Sequence, residues 1–99
     1  MKLEQVMTHA MALADTGERA VTHLRNGLVV RVSKAQDGVL YRIAVSRENG
    51  RSGPSAGEVQ TIARAAGFAE LSLPEQPEWD GTVCRWVVFG TPVVGLEDA

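Results

Sequence analysis

Two β-prone runs, Leu28–Val32 (LVVRV) and Val39–Val45 (VLYRIAV), stand on either side of Asp37-Gly38, and this constrains the fold more than any other feature. Asp-Gly suits the positive φ angles of tight hairpin turns, so the two runs should pair with each other. A two-residue turn sets Gln36 against Val39, Lys34 against Tyr41, Val32 against Ile43 and Val30 against Val45. Side chains alternate across a strand, so Val30, Val32, Tyr41, Ile43 and Val45 share one face. Arg31, Ser33, Arg42 and Ala44 share the other. A slip of one residue would set apolar against polar positions along the whole ladder, so the sequence specifies its own register.

An apolar sheet face needs a cover, and helical patterns lie on both sides of the hairpin. Leu3, Val6, Met7, Ala10 and Leu13/Ala14 recur at helical spacing, predicting an amphipathic helix over Lys2–Ala14 that stops at Thr16-Gly17. Met7 and Met11 on that helix are read as core filler. The second pattern lies in RSGPSAGEVQTIARAAGF, Arg51–Phe68, which at first resembles a glycine-rich phosphate loop. It lacks both G-x-x-x-x-G-K-[ST] and G-x-G-x-x-G. Ser55 and Glu58 instead form S-x-x-E, a capping box that starts a helix. Val59, Ile62, Ala63 and Ala66 then share one face, Gly67 suits the left-handed position after the helix, and Phe68 can fold back on Ile62 or Ala63. Glu58 would also repel an anion placed at this helix start.

The rest of the chain is less decided. Ala20–Arg25 reads either as a strand, turned by Asn26-Gly27, or as a helical continuation capped there. Strand is favoured by Val21-Thr22. A two-residue turn would nonetheless set His23 and Arg25 on the apolar face, so a bulge is needed to correct the register. Leu71–Asp80 (LSLPEQPEWD) reads as an irregular crossing stiffened by Pro74 and Pro77. Thr82–Phe89 (TVCRWVVF) is a strand by its β-branched and aromatic content, with both parities largely apolar, so its place in the sheet stays open. The expected fold is α+β in the order α-β-β-β-α-β: an N-terminal helix, an antiparallel sheet of three to four strands, and one capped helix on the sheet. Residues 1–92 are read as a single domain and 93–99 as a flexible tail.

With 99 residues, the chain can bury roughly 60–70% of its unfolded surface, enough for one core without staples. The N-terminal segment carries Glu4, Gln5 and His9 where a signal peptide needs apolar residues, no apolar run approaches membrane-spanning length, and Cys84 is the single cysteine; a cytoplasmic protein is expected. Charge is unevenly spread. Residues 1–18 carry a net −2, residues 19–64 a net +5, and residues 65–99 a net −5. The central bases are Arg19, Arg25, Arg31, Lys34, Arg42, Arg47, Arg51 and Arg64. Either the two halves neutralise each other in the fold, or a basic face is exposed for an anion or an acidic partner.

No catalytic, cofactor or metal site is expected. Cys84 sits within a strand with only His9 and His23 as possible bases, and one cysteine with two distant histidines matches no zinc pattern. Glu75, Glu78 and Asp80 lie in a proline-rich crossing without apolar shelter. The candidate partner- or anion-binding residues are Arg25, Arg31, Arg42, Arg47 and Arg51: two on the hairpin face away from the core, three at its turns and ends. Guanidinium groups suit carboxylate or phosphate.

The run YRIAVSRENGRSGPSAGEVQTIARAAGF, Tyr41–Phe68, followed by the RWVVF strand, resembles a pattern in small uncharacterised bacterial and phage proteins. Those proteins place a hairpin ending in SR, a loop, PS..E and a helix before a final strand. The resemblance covers about half the chain and rests on the turn and cap signals above. It implies an α+β fold and a mobile-element or accessory gene, and it transfers no activity and no functional residue. The expected function is a small non-enzymatic binding or regulatory module acting through protein–protein contact or self-association. The alternative is a nucleic-acid-binding accessory protein using the arginine face, disfavoured by net acidity and by the lack of aromatic residues on that face. No membrane and no small-molecule substrate are indicated.

Overall fold

The computed structural model describes residues 2–68, 73–74, 76–79 and 81–92. Helix α1 (Leu3–Asp15) leads to β1 (Ala20–His23), β2 (Leu28–Lys34) and β3 (Tyr41–Arg47); then come α2 (Ala56–Ala65), β4 (Glu78–Trp79) and β5 (Cys84–Gly90). The sheet is antiparallel throughout, in the order β1-β2-β3-β5-β4. This is the expected α+β succession with one more strand: the two-residue β4, within the segment read as an irregular crossing. Residues 71–72, 75 and 80 of that crossing, residues 69–70 before it, and the tail from 93 lie outside the described residues.

The hairpin has the register its sequence demands, with Val30 opposite Val45, Val32 opposite Ile43 and Lys34 opposite Tyr41. Its turn differs from the two-residue form. The Ala35 N–H donates to the Leu40 carbonyl at 2.8 Å, so a four-residue loop connects the strands, and β3 starts at Tyr41. Gly38 alone takes a positive φ, +72°. Asp37 stays on the ordinary side and uses its carboxylate instead, accepting the N–H groups of Val39 (2.8 Å) and Leu40 (3.0 Å). The loop thus satisfies its own donors and leaves Val39 63% exposed rather than paired.

β1 is a strand, and its turn resolves the register conflict. The Gly27 N–H donates to Leu24 and the Leu24 N–H to Leu28, enclosing a three-residue loop in which Gly27 has φ +83°. This extra residue works as a bulge. It moves Ala20 and Thr22 to the core side, opposite Val32 and Val30, and sends Val21 and His23 to the other side.

Both helices lie on one side of the sheet. Met7, Ala10, Met11 and Ala14 of α1 and Val59, Ile62 and Ala63 of α2 join Val30, Val32, Ile43, Val45, Trp86 and Val88 in a single buried cluster. Ser55 caps α2, its hydroxyl accepting the Glu58 N–H at 3.2 Å while Glu58 accepts the Ser55 N–H at 2.9 Å. The helix ends with the Gly67 N–H on Arg64 and the Phe68 N–H on Ala63, and Phe68 turns back into the core. The late strand pairs with β3, setting Val88 against Ile43 and Trp86 against Val45. The buried Trp86 indole donates to the Pro54 carbonyl at 2.7 Å, tying β5 to the loop before α2.

Phe68 lies directly on Gly90, where an added Cβ would come within 2.9 Å of its ring. Gly90→Ala should therefore push Phe68 out of place and cost about 1–3 kcal/mol. Urea unfolding monitored by tryptophan fluorescence would show this as a lower midpoint.

Candidate binding site

Because the helices cover one side, the other side of the sheet is open among the described residues, and strand parity decides what it displays. Val21 and His23 of β1, Val29, Arg31 and Ser33 of β2, Arg42, Ala44 and Ser46 of β3, and Arg85, Val87 and Phe89 of β5 share it. Two of its large apolar side chains are strongly exposed, Val21 at 51% and Phe89 at 53%. Val29, Ala44 and Ser46 are buried even though no described helix covers this side. Arg31 helps explain this: its guanidinium Nη1 reaches across to the Ser46 hydroxyl at 3.4 Å, a long contact.

A groove of about 1040 Å³ runs over this face, with Arg19, Val21, Arg31, Arg42, Arg85 and Phe89 among its lining residues. A second hollow of about 460 Å³ shares Arg42 and Phe89 with it and reaches Pro74 and Gln76. Arg42 thus stands where the two hollows meet, directly opposite Phe89 in the ladder. Not every cation here is available. Lys34 is held 3.3 Å from Asp15 and 3.9 Å above the Tyr41 ring, and Arg85 meets Glu78 at 3.4 Å. Arg42 forms no ion pair with any described residue.

The five arginines singled out from sequence separate into three groups. Arg31 and Arg42 share the open face. Arg47 falls on the helix side and donates to Glu58 at 2.8 Å, the same carboxylate oxygen that closes the α2 capping box. Arg25 and Arg51 are exposed in the β1–β2 turn and in the loop before α2. Sequence reasoning missed Arg85, Phe89 and Val21. Arg85 and Phe89 were visible as one parity of the last strand, but their side of the sheet followed only from its pairing with β3.

His23 lies on the open side near Glu48 at 3.4 Å, whereas Cys84 shares the helix-side parity of Trp86 and Val88 on another strand. His9 is exposed on α1. No group of three metal-ligating side chains is gathered among the described residues. No described helix is long and apolar enough to cross a membrane. Comparison with protein-family models, with curated proteins and with solved structures finds no match.

The Asp15, Tyr41 and Lys34 contacts join the end of α1 to the hairpin. The Tyr41 hydroxyl donates to Asp15 at 2.5 Å and holds its carboxyl below the ordinary range, with burial opposing and Lys34 assisting. A depressed carboxyl stabilises the fold above its unfolded pKa, about 3.9, and that contribution is lost as pH falls through the lower folded value. Urea titrations across acidic pH should show stability declining below about pH 4. Tyr41→Phe should flatten part of that decline, while leaving stability near neutrality lower than in the parent.

Proposed function

We propose that this chain is a small binding module that receives an acidic protein segment on its open sheet face and acts through that contact. The observation that carries this reading is the position of Arg42: on the uncovered side, without an ionic partner among the described residues, opposite the exposed Phe89 and at the junction of both hollows. Arginine beside aromatic and aliphatic side chains is the composition that protein interfaces favour. The guanidinium fork matches a carboxylate in charge and shape.

Phe89 also supports a second reading, because it supplies an aromatic ring on the arginine face, where the hairpin sequence alone places none. A single-stranded nucleic acid could stack there. Such sites commonly present successive rings along a basic track, however, whereas Phe89 is the one exposed aromatic on this face among the described residues and the chain carries a net charge of −2. The protein-binding reading is therefore preferred.

The two are separated by titrating the labelled protein, followed by ¹H–¹⁵N spectra, with a peptide of alternating glutamate and valine and with a single-stranded oligonucleotide. The peptide should shift the amides of Arg31, Arg42 and Phe89, and Arg42→Ala should weaken its binding about tenfold. Binding of the oligonucleotide alone, falling steeply with salt, would favour the second reading instead. No shift with either ligand at millimolar concentration would remove both.

A further inference from the structure

Strand β1 closes one side of the sheet, and the ladder decides which of its backbone groups are used. The Leu24 N–H donates to the Leu28 carbonyl at 2.8 Å, making positions 24 and 28 a hydrogen-bonded pair. Such pairs alternate along an antiparallel ladder. Thr22 and Ala20 therefore direct their N–H and C=O groups towards Val30 and Val32, and Val21 and His23 direct theirs outward. Among the described residues no strand lies beyond them.

Cations flank this edge. Arg19 precedes β1 and Arg25 follows it in the turn, while Arg31, one strand further in, is turned towards Ser46 of β3 and Glu48 lies 3.4 Å from His23. The Val21 side chain is half exposed on that same face, and Leu24 is partly buried where the strand ends.

We propose that the outer edge of β1 takes up an extended acidic segment of the partner protein as an added strand, paired through the backbone of Val21 and His23. The added strand is a second contact of that partner, beside the segment received at Arg42 and Phe89 on strands further in, so the inference extends the binding reading above and rests on it. Alternate side chains of the incoming strand lie over the open face, where carboxylates meet Arg19. The intervening side chains continue the helix-covered side beside Leu24, where apolar groups fit. The preferred segment thus alternates acidic and apolar residues, with main-chain bonds supplying affinity and side chains supplying choice.

A second copy of this chain is a poorer occupant. Two β1 strands paired antiparallel about Thr22 would set Val21 against the second copy's His23, and Arg19 against its Arg25, twice over. Like charges placed opposite each other destabilise a strand pair. An acidic strand turns the same arginines into partners.

Proline provides a selective test, since an edge strand tolerates it where the N–H points outward. Val21→Pro and His23→Pro each delete one outward donor and leave the bonds to β2 in place. The full-length protein and both variants would be titrated with the alternating glutamate–valine peptide, following ¹H–¹⁵N spectra and amide exchange. In the parent, the Val21 and His23 amides should exchange about tenfold more slowly with peptide bound. Either proline variant, if its own spectrum shows it folded, should bind about tenfold more weakly. If both variants unfold, the parent's exchange rates decide the matter alone. Binding that shifts Arg42 and Phe89, leaves Val21 and His23 exchange unchanged and is insensitive to both prolines would overturn edge pairing while leaving the face reading intact. No binding at all would overturn both.

Discussion

The pairing of β2 with β3 is the constraint on which the rest of the structure depends. Once Val30 stands opposite Val45 and Val32 opposite Ile43, every neighbouring side chain is assigned to one side of the sheet or the other. Arg31 and Arg42 are then sent away from the helices, and β1 and β5 add to a pattern already set. A one-residue shift would exchange these sides wholesale, burying guanidinium groups under α1 and α2 and exposing the valines. Few substitutions of a single residue could do as much.

The two helices use this asymmetry in different ways. α1 contributes methionine and alanine, which fill the layer closely over β1 and β2. α2 is tied down at both ends: at the start by Ser55 and Glu58, at the finish by Phe68 turning back into the core. Glu58 also holds Arg47, so one carboxylate oxygen serves both the helix cap and a contact with the sheet. Its carboxyl lies below the ordinary range, mainly through the Ser55 N–H, with the nearby Arg47 charge acting in the same direction. The result is a sheet covered once, whose other side presents guanidinium groups among aliphatic and aromatic side chains.

The features legible in the sequence were those set by local chemistry. Alternation gave the faces of the hairpin, and S-x-x-E gave the start of α2, because neither needs knowledge of distant partners. Turn positions were legible while turn types were not: Asp37 could satisfy its neighbours with its carboxylate without adopting a positive φ, and Gly27 could absorb an extra residue. The place of β5 was hidden because both of its parities are largely apolar, and β4 was hidden because two residues carry no periodicity. The candidate site was legible in the same measure. Arg31 and Arg42 followed from the hairpin, Arg47 was drawn to the other side by Glu58, and Phe89 joined the face only through the pairing of β5 with β3.

The central claim is that helices cover one side of this sheet and leave the arginine side open. Nuclear Overhauser contacts between assigned side chains measure this most directly. The account predicts contacts from the methyl groups of Val32 and Ile43 to α1 and α2 side chains, with none from Arg42, Val21 or Phe89 to either helix. Contacts joining Phe89 or Arg42 to a helix, or Val32 and Ile43 lacking them, would contradict it.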